Sequence, residues 1–170
     1  MASHASVRPM QPADLPQVLA LQEQAYAGAE FEPERVEVYT NRMRLAPAFC
    51  LVDIAPGGRL LGYLVSHPWR EAAPPALDAL LPVLPADADC WYLHDCAVDA
   101  AAKGRGVAAR LHHVALDRAR ALGLRKAALV AVGTAAGFWK RLGYAPRALP
   151  GMAERLADYG EGAVYMERAL

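Results

Sequence analysis

The chain has 170 residues, with 18 Lys plus Arg set against 18 Asp plus Glu, so its length fits one domain (1–170) and its charge gives no argument for nucleic acid or a membrane surface. The opening MASHASVRPM lacks the apolar stretch of a signal peptide, and no run approaches membrane-spanning length. Cys50, Cys90 and Cys96 are odd in number and contain no C-x-x-C pair, which argues against a disulfide framework or a zinc site and makes a reducing cytoplasm the expected compartment, with no metal.

In chain order, SVRPM reads as a short strand. QPADLPQVLALQEQAY follows as a helix, with Asp14 as N-cap, Pro16 in the first turn and Leu15, Val18, Leu19, Leu21 and Ala25 on one stripe. A second helix is expected from near Pro33 to Leu45. AFCLVDI and LLGYLVS flank APGGR, which predicts a hairpin. Residues 67–89 are rich in Pro and Ala, poor material for a sheet, and read as a functional loop or lid. CWYLHDCAV resumes as a strand, GVAARLHHVALDRARALG as an amphipathic helix ending at Gly123, and RKAALVAV as a buried strand. A short helix, TAAGFWKRLG, and a last strand, AVYMERAL, close the order βααβββαβαβ, which indicates an α/β domain with a mixed sheet.

Charge is uneven along the chain. Residues 11–37 carry six acids (Asp14, Glu23, Glu30, Glu32, Glu34, Glu37) against Arg35 alone. Residues 101–126 carry seven bases (Lys103, Arg105, Arg110, Arg118, Arg120, Arg125, Lys126) against Asp117 alone. Solvated faces would account for both clusters. The alternative is one end that favours a cation and another that favours an anion.

The basic cluster begins at VDAAAKGRGVA, where Gly104 and Gly106 flank an arginine just before a helix. A turn would explain the pair, and so would an anion cradle of bare N–H groups at a helix N-terminus. GRGVAA matches the dinucleotide fingerprint in form. Against that reading, five residues separate strand from glycine and no acid follows at the end of a second strand about twenty residues on. No G-x-x-x-x-G-K-[ST] is present, which excludes a Walker-type loop.

A third reading accounts for the whole segment. Lys103, Gly106 and Ala108 fall on the [RQ]-x-x-G-x-[GA] positions of the GCN5-related N-acetyltransferases, which the chain resembles over nearly its full length. AAGFWKRLGYAP resembles a second segment of that family, with Ala135, Phe138, Arg141, Gly143 and Tyr144 on its positions. The resemblance implies a single domain with a mixed, mostly antiparallel central sheet flanked by helices. It implies acetyl-coenzyme A as cosubstrate, held by Cys96, Ala97 and Val98 on the strand, Lys103, Gly104, Arg105, Gly106, Val107, Ala108 and Ala109 at the helix start, and Phe138 and Trp139 beyond. Arg110 is a further candidate for phosphate. Within the family, YLHDCAV looks closest to the arylalkylamine branch, whose histidine pair falls on Tyr92 and His94.

The implied chemistry is direct attack of an amine on a thioester. His94 is the preferred base, since imidazole titrates near neutral pH, and Asp95 is the alternative. An extended strand puts His94 on one face with Tyr92 and Cys96, and Asp95 on the other. Breaking of the strand's pairing near Cys96–Val98 would free backbone groups for the cosubstrate. His112 and His113 read as packing or surface residues. Trp139 stands where many members have tyrosine, and an indole N–H is no useful acid, so Tyr26, Tyr144 and Tyr165 become candidate donors to the departing thiolate. The acidic segment implies a small cationic amine as acceptor, with peptide N-termini or lysines as the alternative, and Trp69, Phe31 and Trp91 form a candidate aromatic wall. The C-terminal strand, read as an edge, offers a surface for a homodimer. A rival reading is a non-catalytic acyl-coenzyme A-binding or sensing domain.

Overall fold

The structure is a computed structural model that describes residues 6–170; residues 1–5, part of the opening segment searched for a leader, lie outside the described residues. The strands are β1 (Ser6–Pro9), β2 (Cys50–Ile54), β3 (Leu60–Trp69), β4 (Cys90–Val98), β5 (Lys126–Ala131), β6 (Ala145–Pro146) and β7 (Val164–Ala169). They form one sheet in the order β1-β2-β3-β4-β5-β7-β6. Every pair is antiparallel except β4 with β5. The helices are α1 (Leu15–Ala25), α2 (Val36–Leu45), α3 (Val107–Ala121), α4 (Ala136–Arg141) and α5 (Met152–Arg155).

Alternation on the strands sorts side chains to two faces. Leu51, Leu61, Leu64, Trp91 and Leu129 join Val107, Leu111, Ala115 and Ala119 of α3 and Trp139 of α4 in one cluster. Cys50, Val52, Tyr63 and Val65 meet Val18 and Leu21 of α1 and Tyr39 of α2 on the other face. The stripe at 107, 111, 115 and 119 has the i, i+4 spacing that makes α3 a one-sided helix. Arg118 and Arg120 lie in its last turn, where cations suit the helix dipole, and Gly123 turns the chain away at φ +78°. The sheet and α3 approach closely at Gly62. A Cβ there would sit 2.7 Å from Val107 Cγ1 and 2.9 Å from the Ala97 carbonyl oxygen.

Several expectations change in detail. Asp14 precedes α1 as expected but does not cap it. Its carboxylate accepts from the Gln11 N–H at 2.8 Å and from the Arg8 guanidinium at 2.8 and 2.9 Å. The strand after APGGR runs on through His67, Pro68 and Trp69, so the proline-rich loop starts at Arg70. That loop is pinned: Asn41 exchanges two hydrogen bonds with Leu81, and Tyr159 donates to the Pro75 carbonyl at 2.6 Å. The last strand, β7, is not the free edge expected, because β6 pairs with Glu167 and Met166 on its outer side. The short α5 and β6 carry no periodic signal and were not foreseen. Among the described residues, no helix is long and apolar enough to cross a membrane.

His112 lies in the core between Trp91 and Trp139 and shares a hydrogen bond with the Tyr144 hydroxyl at 2.9 Å, whereas His113 is exposed beside Asp117. Burial lowers His112 to about 4, and burial of His67 lowers it to about 3. Both bind a proton far less readily folded than unfolded, so stability is full above about pH 6.5 and is lost as the pH falls toward 4.

Two outcomes follow in urea melts. Gly62→Ala lowers stability by about 1–3 kcal/mol, because the new methyl must push α3 off the sheet. Between pH 7.5 and pH 5 the wild type loses about 2 kcal/mol for each buried histidine, and His112→Leu shows a shallower decline over the same range.

Candidate active site

The parallel pairing of β4 with β5 runs only from Cys90 with Lys126 to Leu93 with Leu129. Beyond it β5 continues against β7, while β4 continues against β3. The two strands therefore part, and a cleft of about 1070 Å³ opens between them. A bulge marks the same point. Val65 pairs with Asp95 and Ser66 with Leu93, so His94 is an extra residue without a partner on β3. Bulges bend a strand and increase its twist, which turns β4 away from β5.

The bulge also breaks the alternation. His94 reaches Glu34 just before α2, and Asp95 reaches Tyr26, Tyr39 and Tyr63, so both point to the face that carries Tyr92. Cys96 and Val98 pack against the opposite cluster. The expected sharing of a face by His94 and Cys96, with Asp95 opposed, is thus corrected by one inserted residue. The expected break in pairing does include Cys96–Val98, on the β5 side; it starts earlier, at His94, and pairing with β3 runs on to Val98.

Most of the residues singled out from the sequence line the cleft. They are His94, Asp95, Cys96, Ala97, Val98, Lys103, Gly104, Gly106, Val107, Ala108, Ala109, Phe138 and Trp139. Tyr92 does not: it is fully buried with Cys90, Ala128 and Tyr165, its hydroxyl 3.4 Å from that of Tyr159. The Arg105 side chain does not line it either, being exposed on the loop. Arg110 is committed elsewhere. Its Nε and Nη2 bond Asp53 at 3.0 and 2.8 Å, and its Nη1 donates to the Arg105 carbonyl at 2.7 Å, fastening the glycine loop to β2.

Gly104 and Gly106 adopt φ of +80° and +74°, and Gly106 is the residue that opens α3. Left-handed backbone explains glycine at both. The space above Gly104 is open, with nothing within 4 Å of an added Cβ. The first-turn amides of Val107, Ala108 and Ala109 have no carbonyl four residues back within the helix, so they are free donors at the positive end of its dipole. Lys103, just before the helix, and Arg141, over the Phe138 ring, also line the cleft. Phe138 and Trp139 give it an apolar wall, their rings edge to face at 4.9 Å.

The other end is acidic and aromatic. Tyr26, Glu30, Phe31 and Glu161 line it. Glu30 accepts from the Glu161 N–H at 3.0 Å, which ties the segment after α1 to the one before β7. Of the aromatic wall expected, Phe31 is in place, packed on Tyr26 at 5.5 Å, while Trp91 is in the core and Trp69 packs beside Leu77 and donates to the Ala73 carbonyl. The proline-rich loop does not cover the cleft. Only Leu77 from it lines a second cavity of about 40 Å³ alongside, which His94, Asp95, Tyr26 and Glu34 share.

Asp95 is fully enclosed and accepts from Tyr26 at 2.6 Å, Tyr63 at 2.6 Å and Tyr39 at 3.0 Å. Burial raises its carboxyl above the ordinary range, against the tyrosyl hydrogen bonds that lower it. Burial and the Asp95 charge push Tyr26 well above the usual tyrosine value. With its oxygens taken by three hydroxyls, Asp95 is a hub rather than a free base. These tyrosines come from the residue that ends α1, from α2 and from β3, and no local spacing announces them. Glu34 was visible only as one acid in a run of acids. The imidazole of His94, which is 1% exposed, meets Glu34 Oε1 through Nε2 at 2.6 Å. Its Nδ1 is buried without a protein partner. Among the described residues, no group of three or more His, Cys, Asp or Glu is placed to hold a metal ion.

Asp95→Ala removes the shared acceptor of three hydroxyls, leaving only the longer contacts of Tyr26 with the Cys96 carbonyl and of Tyr39 with Tyr63, and is expected to cost about 2–4 kcal/mol in a urea melt. Asp95→Asn, which keeps an acceptor and sheds a buried charge, costs less than half of that.

A profile of the acetyltransferase (GNAT) family matches residues 15–144. The fold is similar to that of Ard1 from Thermoplasma volcanium, at 18% identity over 98% of this chain and 97% of that one, with a TM-score of 0.72. A GCN5-related N-acetyltransferase from Kribbella flavida superposes with a TM-score of 0.71 at 22% identity, covering 98% of each chain. N-acetylglutamate synthase from Neisseria gonorrhoeae, solved with coenzyme A and N-acetyl-glutamate, gives 0.72 at 18% identity over all of this chain and 36% of its own. No curated protein matches the sequence.

Proposed function

Since the chain belongs to the acetyltransferase (GNAT) family, we propose that it transfers the acetyl group of acetyl-coenzyme A to a primary amine, and that the amine is small and cationic. The parting of β4 from β5 carries this reading. It sets free backbone on one side, bare helix amides and Lys103 at one end, and carboxylates at the other. The cleft suits the cosubstrate. Val107, Ala108 and Ala109 offer amides to a diphosphate at the end of α3, with Lys103 and Arg141 for its charge. Cys96, Ala97 and Val98 offer strand backbone to the extended pantetheine arm, and Phe138 and Trp139 offer it an apolar wall. Acetyl-coenzyme A supplies the thioester carbonyl that the amine attacks.

The ammonium must lose a proton before attack, and His94 lines the cleft with Nδ1 unengaged. We assign it as the base, directly or through one water. Its partner strand face holds Tyr92, whose part is to pack behind the histidine at 6.4 Å between ring centroids. Of the three tyrosines considered for the departing thiolate, Tyr144 bonds His112 in the core and Tyr165 bonds Glu167 at 2.7 Å, both away from the cleft. Tyr26 lines it, but its raised value makes it a weaker acid than a thiol titrating near 8.5. None of the three is thus a ready acid, and the thiolate can leave as the anion and take its proton from water.

Glu30, Glu161 and Phe31 support a small cation, arylalkylamines included, because they offer charge and an aromatic face in one place. The Glu30–Glu161 tie across the acceptor end favours a compact amine over an extended peptide. The test is thiol release from acetyl-coenzyme A with a panel of polyamines, arylalkylamines, aminoglycosides and peptide N-termini. One small-amine class should turn over. His94→Ala should lower kcat about 10²–10⁴-fold at an unchanged KM for acetyl-coenzyme A. Coenzyme binding with no turnover on any amine would overturn the enzyme in favour of an acyl-coenzyme A-binding domain.

A further inference from the structure

Glu34 is placed with unusual care for a residue in an acidic stretch. The Gln22 side chain of α1 clasps its backbone, accepting from the Glu34 N–H at 2.7 Å and donating to its carbonyl at 3.1 Å. Its Oε2 accepts from the backbone N–H of Asp78, in the proline-rich loop, at 2.8 Å. Its Oε1 lies 2.6 Å from His94 Nε2. Burial alone would raise the Glu34 carboxyl, but His94 and the Asp78 amide outweigh it and hold the group below the usual carboxylate range. Glu34 is therefore ionised at neutral pH, and an ionised carboxylate only accepts hydrogen bonds.

We propose that Glu34 is a positioning residue that holds His94 in the Nε2-protonated tautomer, so that Nδ1 carries the lone pair that takes the amine's proton. The proposal rests on the reading of His94 as base. With Glu34 ionised and the ring neutral, as a base must be before it takes a proton, the geometry leaves one assignment of hydrogens. Nε2–H donates to Oε1, and Nδ1, buried and without a protein partner, is the acceptor. In the proton step an amine N–H bond breaks, an Nδ1–H bond forms, and Glu34 remains ionised against the resulting imidazolium. The proton then passes to water. The cavity of about 40 Å³ that His94 and Glu34 both line has room for about one or two waters to carry it.

Other charges and titrating groups stand around the imidazole: Asp95 beside it on β4, His67 on β3, Tyr92 on its own strand, and Arg42 of α2 near Glu34. None of these bonds the ring, whose hydrogen-bond partner among the described residues is Glu34.

The first measurement needs no catalysis. In protein labelled with ¹⁵N-histidine, long-range proton–nitrogen spectra assign the resting tautomer, His94 being identified by its loss in His94→Ala. Nε2–H is expected, and Nδ1–H would overturn the proposal. The second measurement is the pH profile of acetyl transfer. Glu34→Gln should lower kcat about 10–100-fold at an unchanged KM for acetyl-coenzyme A. It should also move the acidic limb to lower pH, and cost nothing further when added to His94→Ala. A His94→Ala enzyme as active as wild type would sink the base itself. An inactive His94→Ala beside a Glu34→Gln with wild-type rate and profile would sink the positioning role while leaving the base.

Discussion

A parallel strand pair that stops after four residues is the constraint on which the rest of the molecule depends. Were β4 and β5 to stay paired beyond Leu93 and Leu129, backbone would meet backbone along the sheet and no cleft would exist. Instead, β4 keeps its hydrogen bonds to β3 on one side and leaves its other edge open through Val98. Buried backbone groups need partners, so such an open edge inside a sheet is costly unless a ligand or solvent supplies them. The chain tolerates it by filling both faces around the opening with well-packed side chains and by anchoring α3 directly against Gly62.

The second requirement is polar. The face under α1 and α2 buries the carboxylates of Asp95 and Glu34, the imidazoles of His94 and His67 and several phenols close to a cleft that must stay ordered. Each carboxylate is satisfied by donors from distant segments: Asp95 by three hydroxyls, Glu34 by an imidazole and an amide. Such networks are rigid when every acceptor is matched and poorly tolerated when one is not. They join α1, α2, β3 and the proline-rich loop to the bulge, so the helices that flank the acceptor end are held by the same atoms that orient its chemistry.

The sequence made the order of the principal elements legible because strand alternation, the α3 stripe and the glycine punctuation are local signals. The glycine loop was legible for the same reason: positive φ at Gly104 and Gly106 demands glycine whatever lies above them. The bulge was not, since no glycine or proline marks His94, and a strict period of two placed Asp95 on the wrong face. Nor could Glu34 be separated from Glu30 and Glu32, because its partner lies sixty residues on. Arg110 looked like a phosphate ligand until Asp53, fully buried on β2, accounted for its guanidinium. In each case the missing information was a contact between segments far apart in the chain.

The bond from Asp78 to Glu34 is made by main chain, and its partner on the other oxygen is a side chain. A main-chain donor is indifferent to which residue supplies it, so substitution at 78 leaves the bond intact wherever a φ of +59° can be held, as glycine or asparagine would hold it. Insertion or deletion is another matter, because one residue more or fewer between Pro75 and Leu81 carries a different amide to that spot or none. The proline-rich loop is therefore a gauge of length rather than of composition. Its surface residues are freer to change than its count of residues, Asp78 excepted, because the Asp78 carboxylate accepts from the Arg35 N–H and guanidinium beside Glu34.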